Sequence, residues 1–153
     1  MPNSYTQIYI QAVFAVKYRN AQLNKDWRHE LFSNIGKIIN DEGCQSIIIN
    51  GVEDHIHCFF SLKNDVPVSR VLQRTKSLSS KWINENELTQ SKFNWQTGYA
   101  AFSYNQSAFD NVVRYIKNQE EHHRKMNFQE EYKWFLNKFK IDFDDRYVFN
   151  KMI

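Results

Sequence analysis

Cysteine occurs only twice in the 153 residues, at Cys44 and Cys58, and proline is equally rare. Two thiols do not make the disulfide framework of a small secreted domain, so free cysteines in a reducing, cytoplasmic setting are expected. Glycine is limited to four residues. That leaves no flexible linker, and a single domain over 1–153 is expected, with a core at about 5–126 and a helical tail at 127–153. No Gly-x-Gly-x-x-Gly and no Walker pattern occurs, so no nucleotide cofactor is expected. No apolar run approaches the roughly 20 residues that span a bilayer. The opening MPNSYTQIYIQ lacks the charged-then-apolar order of a secretory leader, so no secretory signal is expected, and without a spanning run no membrane partner is expected either. Excess charge of one sign is also missing. A net charge of +3 permits a nucleic-acid partner without demanding one.

What the chain does have is apolar and aromatic content, 42% and 16% of residues, enough for a real core. Residues 5–17 (YTQIYIQAVFAVK) read as a strand. Residues 25–42 read as a helix with Trp27, Leu31, Ile35, Ile38 and Ile39 on one stripe and Gly43 as its stop. Residues 45–52 and 55–62 read as two strands joined by a turn starting at Asn50-Gly51. A second helix covers 67–86, with Pro67 in its first turn and Val68, Val71, Leu72, Thr75, Leu78, Ser79 and Trp82 on one side. A short aromatic strand at about 99–104 precedes a long helix over about 107–126, capped by Ser107 with Asp110 three residues on. The tail carries one more helix and an extended end. The order β-α-β-β-α-β-α predicts an α+β, ferredoxin-like fold: a four-stranded antiparallel sheet with two helices on one face. The last long helix is left to cover part of the other face.

One stretch stands out from packing logic. In DHIHCFF (54–60), strand alternation sends His55, His57 and Phe59 to one face and Ile56, Cys58 and Phe60 to the other. The second set suits a helix-covered core, which takes Cys58 away from the histidines. Imidazoles at i and i+2 stand about 6.5–7 Å apart and can converge on one metal ion. A His-x-His pair on a strand is nevertheless more often structural, and two histidines leave a coordination shell incomplete. On the long helix, in RYIKNQEEHH, a stripe of Phe109, Val112, Val113, Ile116 and then Glu120 or His123 faces the core. Tyr115 and Gln119, at i and i+4, share its edge. A rim tyrosine and a surface glutamine commonly have no chemistry. His122 and His123 read as a solvated helix end whose charge complements the helix dipole.

DHIHCFF, FNWQTGYAAFSYNQS and YIKNQEEHH, in that order, together with the tail FQEEYKWFLNKFKIDFDDRYVF, resemble the small single-tyrosine transposases of bacterial insertion sequences. These are HUH endonucleases, named for His-hydrophobic-His. The resemblance implies that His55 and His57 are metal ligands, that Gln119 is the third ligand and that Tyr115 is the nucleophile. It implies a divalent cofactor, Mg²⁺ or Mn²⁺. The substrate would be single-stranded DNA at hairpin ends of an element, cut through a 5′-phosphotyrosine. The enzyme would be a bacterial homodimer in which Tyr115 serves its own subunit's histidines or its partner's.

DNA also needs positive charge to hold it. Arg70, Arg74 and Lys81 share the outer face of the second helix, and Arg114, Lys117, Arg124 and Lys125 surround the tyrosine. Trp95, Tyr99, Phe102 and Tyr104 offer rings for base stacking or for the core. Two alternatives share or replace this chemistry. One is a domesticated enzyme processing repeated extragenic palindromes, or a replication-type nickase. The other is a non-catalytic module that stacks RNA or DNA bases on its sheet.

Overall fold

A computed structural model describes residues 4–17 and 22–144. The elements are β1 (Tyr9–Ala15), α1 (Lys25–Asp41), β2 (Gln45–Gly51), β3 (His55–Ser61), α2 (Val68–Glu85), β4 (Ala100–Tyr104), a 3₁₀ turn at Gln106–Ala108, α3 (Phe109–Lys117), α4 (Gln119–His122) and α5 (Phe128–Lys138). The strands lie in the order β2-β3-β1-β4, and every pairing is antiparallel. This is the expected α+β, ferredoxin-like sheet. The two central strands, β1 and β3, are the most buried.

One face of the sheet carries Ile10, Ala12, Phe14, Ile56, Cys58 and Phe60, and it packs against the stripes of α1 and α2. All five residues expected on the α1 stripe are buried. On α2 the buried set is Val71, Leu72, Thr75, Ser79 and Ile83, with Val68, Leu78 and Trp82 at its margin. Asn24 caps α1 through the Asp26 amide. Gly43 follows the helix with φ +90°, the left-handed conformation that ends helices and favours glycine. Cys44 and Cys58 are buried and free.

Three local expectations needed correction. The β2–β3 hairpin turns at residues 52–54, not at Asn50-Gly51, which stay in β2 opposite His57 and Ile56. A Cβ on Gly51 would lie 2.3 Å from the His55 carbonyl oxygen, so close strand approach is what requires glycine there. Ser107 does not cap the tyrosine helix; it sits inside the 3₁₀ turn and donates to Asn105 Oδ1 at 2.6 Å. The helix expected over 107–126 is broken. Asn118, at φ −98° and ψ 27°, separates α3 from the single turn α4. The break is held from the sheet, because the Asn50 amide donates to the Ile116 and Lys117 carbonyls at 2.9 and 3.2 Å. The extended end expected in the tail falls largely on residues 145–153, outside the described residues.

The second face of the sheet is covered as well, by α3, α4 and α5. Val112 and Ile116 of α3 pack on Phe59. From α5, Phe135 stacks on Phe102 at 5.1 Å between ring centroids, and Phe139 just beyond the helix stacks on it at 4.6 Å. No helix among the described residues is long and apolar enough to cross a membrane.

Candidate active site

Between these covering helices and the sheet lies a polar pocket. The β3 register seats His55 opposite Ala15 and His57 opposite Val13, so both imidazoles point away from the α1/α2 core, and both are fully buried. The turn after Asn118 brings Gln119 and His123 inward, while Glu120 stays exposed 3.9 Å from Lys25. From α5 comes Glu131, 1% exposed. Asn127 and Glu130 form a reciprocal capping box that fixes the start of α5, and the next residue, Glu131, falls on the inward stripe with Phe128 and Phe135.

Glu131 is the hub. Its Oε1 lies 3.1 Å from Nε2 of His55, of His57 and of His123. Its Oε2 accepts a short hydrogen bond from the Tyr115 hydroxyl. His122 Nε2 stands 3.0 Å from that same hydroxyl. The Tyr115 ring meets His57 edge-on, with centroids 5.9 Å apart. Gln119 spans the cluster, its Oε1 3.1 Å from His123 Nε2 and its Nε2 3.5 Å from Glu131 Oε2.

Further groups set the ring orientations. His55 Nδ1 lies 2.7 Å from Asp54 Oδ1, so its N–H donates to that carboxylate and Nε2 is left with a lone pair. That Nε2 is buried without a hydrogen-bond partner; near as it is to Glu131 Oε1, it is not aligned on it. An imidazole that donates one N–H to a carboxylate and keeps its other nitrogen free and inward is the usual arrangement of a metal-ligating histidine. His57 Nδ1 lies 3.0 Å from Gln11 Nε2, and Gln11 Oε1 accepts from the Tyr104 hydroxyl at 2.7 Å. Turning the Gln11 amide over would put its oxygen on Nδ1–H and free His57 Nε2 as a ligand.

The donor atoms of His55, His57, His123 and Glu131 all lie within 4.8 Å of one another. Three imidazole nitrogens and a carboxylate oxygen at that spacing fit a divalent first-row ion. The protonation equilibria show a cluster built around charge. Burial opposes the Glu131 carboxylate, but the imidazoles of His57, His123 and His55 hold its pKa far below the ordinary carboxyl range. Burial also pulls His55 down, yet the Asp54 and Glu131 carboxylates outweigh it and raise its pKa above 6.5. For His57 burial prevails over Glu131 and lowers the pKa. Burial, reinforced by the Glu131 carboxylate, pushes the Tyr115 phenol well above its ordinary 10. A cation among the imidazoles works in the opposite sense, favouring the phenolate.

The residues expected from sequence thus fall into two groups. His55, His57, Tyr115 and Gln119 come together, in one chain. The basic residues lie outside the pocket. Arg70 and Arg74 are ion-paired to Glu42, at 3.1 and 3.5 Å, on the far side of the sheet. Arg124 pairs with Glu121 at 2.9 Å, and Lys81 and Lys117 are exposed. Arg114 and Lys125 line an open cleft of about 400 Å³ that reaches Tyr115 and His122 from solvent. His122 and His123, read from sequence as a solvated end, belong to the site; the break at Asn118 is the reason. Glu131 was missed altogether. Its signal was there: the capping box at Asn127 starts a helix whose inward positions 128, 131, 135 and 136 are apolar except for one glutamate. Of the rings considered for stacking, Trp95 and Phe102 are buried, Tyr104 is half-buried and Tyr99 is exposed.

The profile of a family described as "Transposase IS200 like" matches residues 4–119. Among solved structures, a candidate transposase from Deinococcus radiodurans superposes with a TM-score of 0.63 at 14% identity, covering 78% of this chain and 95% of that one. A REP-associated tyrosine transposase bound to a REP hairpin superposes with a TM-score of 0.61 at 16% identity, covering 100% and 98%. No curated protein matches the sequence.

Proposed function

The chain belongs to the IS200-like transposase family, and from that premise we propose that it cuts and rejoins single-stranded DNA with Tyr115 as nucleophile. The observation that carries this reading is the Tyr115 hydroxyl held beside the largely buried His55/His57/His123/Glu131 donor set of its own chain. Tyr115 Oη attacks the phosphorus of a phosphodiester, and the bond from phosphorus to the 3′ oxygen breaks. A 5′-phosphotyrosine and a free 3′-hydroxyl result. The covalent link conserves the phosphodiester energy, so a second 3′-hydroxyl can rejoin the strands without a nucleotide cofactor.

His55, His57, His123 and Glu131 would hold a divalent ion, with Gln119 against two of them. That ion supplies Lewis acidity toward a non-bridging phosphate oxygen. The imidazole-rich donor set favours Mn²⁺ over Mg²⁺, which prefers all-oxygen shells. Hairpin DNA is the proposed substrate class, supported by the related structure that holds a REP hairpin. The same likeness keeps open a housekeeping role on repeated palindromes, with unchanged chemistry. Tyr115 lies beside its own chain's histidines, so we place it in cis; a homodimer would then serve to hold two DNA ends and not to complete the site. A base-stacking module finds little support, because Phe59 and Phe102 on the sheet are covered by α3 and α5.

The test uses labelled hairpin oligonucleotides with randomised single-stranded flanks and Mn²⁺, read on a denaturing gel. A covalent adduct is expected that disappears in Tyr115→Phe and with chelator. An adduct that survives Tyr115→Phe, or binding without any adduct, overturns the reading.

A further inference from the structure

Tyr115 borders two clefts. One is the open cleft with Arg114 and Lys125 described above. The other, of about 270 Å³, lies between α3, α5 and the end of β4, and Tyr104, Asn111, Tyr115, Trp134 and Lys138 are in its lining. Asn111 and Tyr115, one turn apart on α3, line both clefts and form their common wall. We propose that the second cleft is a nucleobase subsite, in which Trp134 stacks on a base of the single-stranded DNA flanking the scissile phosphate. The inference rests on the reading of Tyr115 as nucleophile toward single-stranded DNA and names a recognition element for that strand. Trp134 lies beyond the segment matched to the family, residues 4–119.

Three observations select this occupant. The first is an indole left open where packing would hide it. α5 turns Phe128, Glu131, Phe135 and Leu136 inward, and Trp134 stays at the edge of that stripe, 46% exposed. Trp27 and Trp95 are buried and Trp82 is half-buried. An indole gives up much of its stabilising burial in such a place. The second is that the ring is held in position and close to the chemistry. Phe135 meets it edge-on, with centroids 5.1 Å apart, and the Lys138 ammonium lies 4.9 Å from its centroid, a cation–π contact. Phe135 also meets the Tyr115 ring at 5.6 Å, so the indole is one ring removed from the nucleophile. The third is the character of the walls. Among the described residues no acidic side chain lines this cleft, and Lys138 adds a positive charge, so a polyanionic backbone can pass. The Tyr104 hydroxyl is committed to Gln11, which leaves its ring as the part offered to the cleft. Every base has a π face, so stacking on an indole needs no particular sequence. Aromatics on the sheet itself are covered by α3 and α5; this ring is carried by α5 and is not.

The test compares two fluorescently labelled probes of equal length, a short single-stranded DNA of random sequence and the same sugar-phosphate backbone without bases. Binding is read by anisotropy in chelator, so that no strand is cut. Trp134→Ala should weaken binding of the base-bearing strand by about 5- to 150-fold, the range of one base–aromatic stack. Trp134→Leu, apolar but without a π face, should lose as much, and Trp134→Phe should recover most of the affinity. On the base-free backbone all three variants should bind as wild type does. With Mn²⁺ and the hairpin pool, Trp134→Ala should raise the DNA concentration that half-saturates adduct formation, with the rate at saturation unchanged, as for loss of uniform binding. Wild-type binding in Trp134→Leu, or an equal loss on both probes, overturns the proposal. So does a wild-type protein that binds the two probes equally. A Trp134→Ala protein whose dimer falls apart while its DNA affinity stays at the wild-type level would assign the indole to a second copy of the chain, and overturns it too. Should Trp134→Ala not fold, the contrast between Trp134→Leu and Trp134→Phe decides by the same criteria. If wild-type protein forms no Tyr115 adduct, the parent reading fails, while the two probes still decide whether the cleft takes a base.

Discussion

Phe60 and His57 lie three residues apart on β3, and both are fully buried. Phe60 packs within the apolar α1/α2 core. His57 meets an amide on one ring nitrogen and a carboxylate on the other. One strand therefore serves two interiors, a dry one that holds the fold and a polar one that holds the candidate site. A polar group can be buried only when it is partnered, and that rule explains the difference in construction. The dry face needs only volume and complementary shape. The polar face needs Asp54, Gln11 and Glu131 set at hydrogen-bond distance from rings that would otherwise be left unsatisfied, with Tyr104 donating to Gln11 in turn.

The sharpest way to break this comparison is a pair of truncations on the same strand. Phe60→Ala is expected to cost about 3–5 kcal/mol of stability, with adduct formation per folded molecule close to wild type at low temperature. His57→Ala is expected to abolish adduct formation while lowering the thermal midpoint less than Phe60→Ala does. Denaturant unfolding and gel assays on both variants check this. Equal losses of stability and activity in the two would show that the faces are not separable.

A smaller effect should appear in the metal-free protein's response to acid. The Glu131 pKa is depressed by folding, so its stabilising contribution is complete above the unfolded value near 4.5 and is lost as pH falls below it. His55, raised, favours the folded state below 6.5, and His57, lowered, opposes it there, so the two offset across the imidazole range. Unfolding curves from pH 7 to 3 should thus steepen below about 4.5, and Glu131→Gln should flatten that limb. An unaltered acid limb in Glu131→Gln would remove Glu131 from the electrostatic hub.

The smallest effects belong to the outer surface. Arg70 and Arg74 are 66% and 51% exposed at the side chain and both reach Glu42, so replacing either with alanine should change stability by under about 1 kcal/mol. If they contact DNA phosphates, each replacement should reduce the slope of log affinity against log salt by about one. An unchanged slope would leave them as ion pairs on the dry side, far from the tyrosine. Arg114, which lines the cleft at Tyr115, is the contrasting control.

How much of this was legible follows the range of the interactions involved. The strands, the first two helices and the split of DHIHCFF into two faces could be read because period-2 and period-3.6 patterns are local. Gly43 could be read because a helix stop needs a left-handed residue. The break at Asn118 could not, because what secures it is Asn50, 66 residues away from Ile116 in sequence. With the helix drawn straight, His123 was one of two alternatives for the stripe and His122 a solvated end. Glu131 was hidden differently: one acid among several in FQEEY looks like surface until the capping box sets which of them turns inward.

By itself the sequence determined the sheet, the dry core and the pairing of His55 with His57 on one face, since each follows from side-chain alternation along a single element. It also carried the family resemblance through Tyr115 and Gln119. Only the tertiary structure decided that Tyr115 stands beside its own chain's histidines, that His123 turns inward with His122 set against Tyr115, and that Glu131 closes the cluster. Those positions depend on three segments meeting over a sheet face, and a buried polar group takes its partners from whatever the fold brings within about 3 Å.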